Sequence, residues 1–179
     1  MNDTEKLKTY TAIVENTRKW VTIMDTKAGF ISALNAGLIS FIWAGGKLVE
    51  GEGLHYVLAI LATLFSFTSL FIAVWIIIPR ATLCAVFKSK TAYKAEYKAI
   101  SFYGYVTNNY PKKDFSKFIT DVKNLSDEDL IGEVLEQHFT TSHIANTKSK
   151  LAERAGWSLL VALFLTFLAI GVRVVFNGN

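Results

Sequence analysis

The sequence predicts an all-α membrane protein: three transmembrane helices and a mostly helical cytoplasmic domain, with the first and last membrane helices extended into the cytoplasm. Three observations carry that expectation. The 179-residue chain is 51% hydrophobic with a mean hydropathy of +0.31, and its apolar residues gather in three runs instead of spreading along the chain as in a soluble domain. The second and third runs reach the roughly 20 helical residues that a ~30 Å hydrocarbon core requires, and neither meets a formal charge before Arg173. The Lys and Arg residues fall almost entirely on one side of a three-span topology.

Residues 1–27 read as a cytoplasmic amphipathic helix, because Leu7, Tyr10, Val14, Thr17, Val21 and Met24 recur at steps of three and four. No Pro or Gly intervenes before Gly29, so one helix of about 40 residues is predicted to continue into the first span, 28–45. That span is the shortest and carries Asn35. Residues 46–55 form an outer loop marked by glycines, and 56–78 the second span. Pro79 then predicts a break, since the residue before a proline avoids helical geometry.

The region 79–155 is expected to be cytoplasmic and helical. Residues 82–100 look helical, the aromatic stretch Phe102 to Pro111 has the composition of a turn or short strand, and 114–123 reads as a short helix. Ser126, followed by Asp127, Glu128 and Asp129, is a good N-cap. The helix it starts carries Leu130, Val134, Leu135, His138, Thr141, Ala145, Lys148 and Ala152 on one side. It runs into the third span, 156–176, with Gly156 as the one expected hinge; 177–179 is a periplasmic tail.

Of the 19 Lys and Arg residues, five lie in 1–27 and twelve in 80–155. Such residues stay cytoplasmic, which puts the amino terminus inside and the carboxyl terminus outside an inner membrane. Arg173 is expected to snorkel to the outer headgroups. The 27 mostly polar residues ahead of the first run argue against a cleaved signal peptide. The pI of about 9.1 follows from membrane orientation, so no nucleic acid partner is expected.

Little in the chain supports catalysis. Cys84 stands alone, which excludes a disulfide framework and a cysteine metal cluster. His138 and His143 are five apart, about 140° around a helix, where a metal pair needs one face. There is no glycine-rich phosphate loop and no nucleophile elbow. No enzyme activity, metal or cofactor is therefore expected.

The polar and small residues of the spans say more. Gly29, Ala33 and Gly37 form a small-residue stripe in the first span. Ala59, Ala62, Ser66, Ser69 and Ala73 form one in the second, and Ser158, Ala162, Thr166 and Ala169 one in the third. Such stripes serve packing within one chain or assembly of several, since close approach drives helix association in lipid. Asp25 and Asn35 are the polar residues where the first span begins; Asn35 serves an interhelical hydrogen bond or lines a polar path. Arg18 and Lys27 on the first helix, with Lys148 and Arg154 on the last, lie near the inner membrane face. They suit anionic lipid headgroups or an anionic ligand held between the helices. Tyr103 suits stacking on a base or a place in a small core.

The stretch from Trp20 to Ala28, with Asp25-Thr26-Lys27-Ala28 and then Leu34-Asn35-Ala36, resembles the amino-terminal signature of the Pycsar transmembrane (PycTM-like) effector family. Ile100-Ser101-Phe102-Tyr103-Gly104 is similar to that family's aromatic-Gly segment, and Leu125 to Leu130 to its helix start. Gln137, then Ser142-His143-Ile144 and Lys148, resembles its Gln…Ser-x-Ile-x-x-x-Lys helix before the last span. The resemblance implies bacterial anti-phage defence. A partner pyrimidine cyclase makes cUMP or cCMP, and the effector responds by disrupting the inner membrane, causing growth arrest or death by abortive infection. It implies a cyclic pyrimidine nucleotide ligand; the stripes add inner-membrane lipid contact and a homo-oligomer. The alternative is a constitutive small membrane scaffold or channel subunit without a nucleotide ligand.

Overall fold

A computed structural model describes residues 3–78, 100, 106–107 and 109–177. Among the described residues the regular elements are all helical, as predicted. They are α1 (Asp3–Ser40), α2 (Leu54–Ile77), α3 (Phe115–Lys123) and α4 (Asp127–Asn177). Cys84, Tyr103 and the helix predicted over 82–100, Ile100 apart, lie outside the described residues.

Local chemistry sets the helix ends. α1 passes into a π-helical turn, Phe41–Gly45, closed by the Gly46 amide on the Phe41 carbonyl at 2.6 Å. Gly53 precedes α2 at φ 121°, a conformation open to glycine. Ile78 ends α2 at ψ 125°, the extended geometry that a following proline imposes. Ser126 and Asp129 cap α4 reciprocally: Ser126 Oγ accepts the Asp129 amide at 3.1 Å, and Asp129 Oδ2 accepts the Ser126 amide at 3.0 Å. In the aromatic stretch where a turn or strand is predicted, residues 106, 107 and 109 are helical. α4 is unbroken at Gly156, the predicted hinge. A lone glycine costs a helix only about 1 kcal/mol, and at a bilayer few alternative partners compete for its backbone groups.

The chain divides into two compact units. One comprises Met1–Trp20 and Arg80–Ala145, the other Val21–Pro79 and Asn146–Asn179. In the first, more polar unit, α1 turns Val14 fully inward with Leu7, Tyr10 and Thr17 beside it, while the remaining described residues of this stretch, Lys6 apart, are exposed. Thr17 Oγ1 lies 3.2 Å from His138 Nδ1, and Tyr110 donates to Asp121 Oδ2 at 2.8 Å. Leu130, Val134, His138 and Thr141 of α4 are half-buried, but Leu135 is 45% exposed. It follows Val134 directly and so sits about 100° round the helix from the inward face.

The second unit is a three-helix bundle in which α4 runs parallel to α1 and antiparallel to α2, as the pairings Asp25–Lys148, Asn35–Ser69 and Gly46–Arg173 require. Small residues dominate its core. One cluster holds Ala28, Ala73, Ile76, Ala152 and Ala155; the other holds Ile42, Leu48, Ala59, Ala62 and Ala169. The stripe of the second span is buried throughout. In the third, Ala162, Thr166 and Ala169 are buried and Ser158 half-buried. Large side chains such as Phe30, Phe71, Phe164 and Phe167 point outward at 63–70% exposure. In water that arrangement would be costly; in hydrocarbon it is neutral, and small-residue contacts supply the packing. All three helices are long and apolar enough to cross a membrane. Arg173 donates to the Gly46 and Lys47 carbonyls just beyond the end of the first span.

Candidate functional site

The polar unit contains a cavity of about 380 Å³. α1 lines it with Leu7, Thr11, Val14, Glu15 and Arg18, a set at helical spacing that shares one face. α4 contributes Leu130, Glu133, Val134 and Gln137 by the same periodicity, and Phe118 and Val122 of α3 with Ile100 complete the wall. The volume lies within the roughly 300–1,000 Å³ of small-molecule pockets.

Three polar heads in this apolar wall are joined in line. Arg18 Nη2 donates to Gln137 Oε1 at 2.7 Å, and Gln137 Nε2 donates to Glu133 Oε1 at 3.0 Å. The amide thus turns its carbonyl to the cation and its amino group to the carboxylate. Glu133 is 4% exposed, and a carboxylate so buried needs such a partner. Arg18 is exposed, and its planar fork suits a phosphate oxygen pair.

A second polar contact lies in the other unit. The Lys148 ammonium is hydrogen-bonded to the Asp25 carboxylate, joining α4 to α1. Further along the bundle, Asn35 is fully buried. Its Nδ2 donates to Ser69 Oγ and to the Ile31 carbonyl, each at 2.8 Å, and its Oδ1 accepts from Ser66 Oγ at 3.0 Å. Ser69 Oγ donates in turn to the Ala155 carbonyl at 2.7 Å. The amide joins α1 to α2, and Ser69 extends the chain of hydrogen bonds to α4. Gly29, Ala33 and Gly37 lie exposed on the outer side of α1, and among the described residues a Cβ added at Gly29 or Gly37 would meet nothing within 4 Å.

The predicted ligand residues are divided between the two units. Arg18 lines the cavity of the polar unit, whereas Lys27, Lys148 and Arg154 belong to the other unit, Lys27 and Arg154 exposed and Lys148 paired with Asp25. Tyr103 lies outside the described residues. Sequence reasoning passed over Glu133 and Gln137 as site residues. Their signal was the spacing 130, 133, 134, 137, which places both on the inward stripe of α4. Among the described residues no group of three or more His, Cys, Asp or Glu side chains is placed to hold a metal.

The family model described as the Pycsar effector protein domain matches residues 9–175, nearly the whole chain. No curated protein and no solved structure matches it. Two of the matched helices carry the Arg18–Gln137–Glu133 line, and three long apolar helices complete the same span of sequence. The chain belongs to the Pycsar family of anti-phage effectors.

Proposed function

We propose that the protein is activated by a cyclic pyrimidine mononucleotide, cUMP or cCMP, made by a partner pyrimidine cyclase, and that it then disrupts the bacterial inner membrane and arrests or kills the infected cell. The family match over residues 9–175 carries this reading. The three apolar helices support a membrane target. The cavity with its exposed Arg18 supports a small anionic ligand in the unit made of Met1–Trp20 and Arg80–Ala145. That unit is cytoplasmic in this reading, where its basic residues and a cytosolic cyclase product would both be.

Action requires more than binding: the nucleotide must favour one state of the protein over another. In this reading ligand-dependent packing of the polar segments of α1 and α4 acts on the spans that follow them in the same helices. Copies assemble through the exposed face of α1 that carries Gly29, Ala33 and Gly37.

The test is reconstitution into liposomes of phosphatidylethanolamine and phosphatidylglycerol loaded with a self-quenched dye. Addition of cUMP or cCMP should release dye, and cAMP or cGMP should not. Leakage that is constant with or without nucleotide favours the ligand-independent channel subunit. No leakage under any condition refutes a membrane lesion.

A further inference from the structure

We propose that the cavity between α1, α3 and α4 is the seat of the activating nucleotide, with Arg18 holding the phosphate while Gln137 and Glu133 read the hydrogen-bonding edge of the base. The assignment rests on the nucleotide reading above. Charge selects the ligand's chemistry. The described lining carries one cation, Arg18, and two carboxylates, Glu15 and Glu133. A bare multivalent anion would gain one partner and face two like charges. A ligand with one negative charge at one end and N–H or O–H donors elsewhere matches the charge of all three. A cyclic mononucleotide has that distribution: a phosphodiester monoanion, a ribose hydroxyl and a base bearing N–H groups.

The hydrogen-bond line gives each end a task. Phosphate oxygens engage the Arg18 fork, in competition with the Gln137 carbonyl that now accepts from it at 2.7 Å. Gln137 then offers both a donor and an acceptor to the base edge. Glu133, an acceptor only and 4% exposed, takes one N–H from Gln137 and has lone pairs that can accept another from the base edge. Glu15 is placed to accept the ribose hydroxyl, a use of carboxylates met in nucleotide sites. Val14, Leu130 and Phe118 supply the apolar surface for sugar and base. Binding therefore exchanges a direct α1–α4 hydrogen bond for one that passes through the ligand.

Isothermal titration of the full-length protein in detergent, with cUMP and cCMP, tests this. Arg18→Ala should weaken binding roughly tenfold to a hundredfold, the loss of one charge-assisted hydrogen bond. Glu133→Gln, whose amide can also donate, should change the ratio of cUMP to cCMP affinity. Lys117→Ala, an exposed charge on α3 outside the lining, should bind as wild type. Circular dichroism verifies folding. Glu15→Gln at a second exposed position probes the same cavity independently and should weaken binding less for the 2′-deoxy analogue than for the parent nucleotide. If the wild type binds but Arg18→Ala and Glu15→Gln bind equally well, the seat is elsewhere and this assignment is overturned while the nucleotide reading stands. If the wild type binds neither nucleotide, both are overturned.

Discussion

The Lys148 ammonium is bonded to the Asp25 carboxylate of the neighbouring helix, and Lys148 is only 8% exposed. Ala28 of α1 and Ala152 and Ala155 of α4, close to the pair in sequence, belong to one buried cluster with Ala73 and Ile76 of α2.

Removing one partner is expected to cost more than removing both. Lys148→Ala leaves the Asp25 carboxylate without its cation and should destabilise the bundle by roughly 1–3 kcal/mol. That is less than the roughly 3–5 kcal/mol of a deeply buried pair, because solvent reaches Asp25, whose side chain is 36% exposed. The double variant Asp25→Ala, Lys148→Ala should recover much of the loss. Thermal unfolding in a single detergent measures the cycle; equal losses for single and double variants would show that the pair contributes no coupling.

Asn35 supports a second expectation. Asn35→Leu removes the hub of the Ser66–Asn35–Ser69 contacts: the Ser66 hydroxyl loses its acceptor inside the bundle, while Ser69 keeps the Ala155 carbonyl. The cost should be about 0.6–2 kcal/mol, the range for interhelical hydrogen bonds in membranes. Ser69→Ala should be non-additive with it, because both belong to one network. Additive losses in the double-mutant cycle would mean the hydrogen bonds act separately.

The helices were legible because hydrophobic period and breaker residues report on backbone geometry directly. Val14 and its neighbours at three- and four-residue steps face inward as their spacing requires. Ser126 caps a helix that no proline interrupts. The direction of each small-residue stripe was not legible, since Gly and Ala suit a contact on any face. One signal was available: Gly37 lies two residues from Asn35, about 200° round the helix, and a buried amide must face protein. The cavity was hidden for a different reason. Glu133 and Gln137 look like solvent-facing residues of a charged helix, and only the packing of α1 against α4 encloses them. Leu135 shows the converse, an apolar residue that its one-step offset from Val134 turns outward.

Topology is tested by fusion reporters. Fusions at Asn2 and near Asp114 should report the cytoplasm, and fusions at Gly51 and Asn179 the periplasm, as the distribution of Lys and Arg dictates. A cytoplasmic signal at Asn179 would mean that the apolar end of α4 does not cross. A periplasmic signal at Asp114 would invert the unit that holds the cavity and separate it from a cytosolic nucleotide.

Assembly through α1 makes the sharpest expectation. A bulky residue at a small-residue contact pushes helices apart. Among the described residues of one chain Gly37 has no such contact: its position is exposed, and an added Cβ meets nothing within 4 Å. Gly37→Leu should therefore leave the unfolding temperature of the monomer unchanged or slightly raised, since leucine also favours a helix by up to about 1 kcal/mol over glycine. Its effect should fall on association alone. Ala62→Leu makes the contrast, because Ala62 is buried between helices of the same chain and has no room to grow. Cross-linking in native membranes, with and without cUMP or cCMP, reads the oligomer, and thermal unfolding in detergent reads the fold. The expected pattern is loss of cross-linked species with an intact fold for Gly37→Leu, and loss of the fold for Ala62→Leu. Cross-linking of Gly37→Leu at the wild-type level would remove the outer face of α1 as the contact between copies.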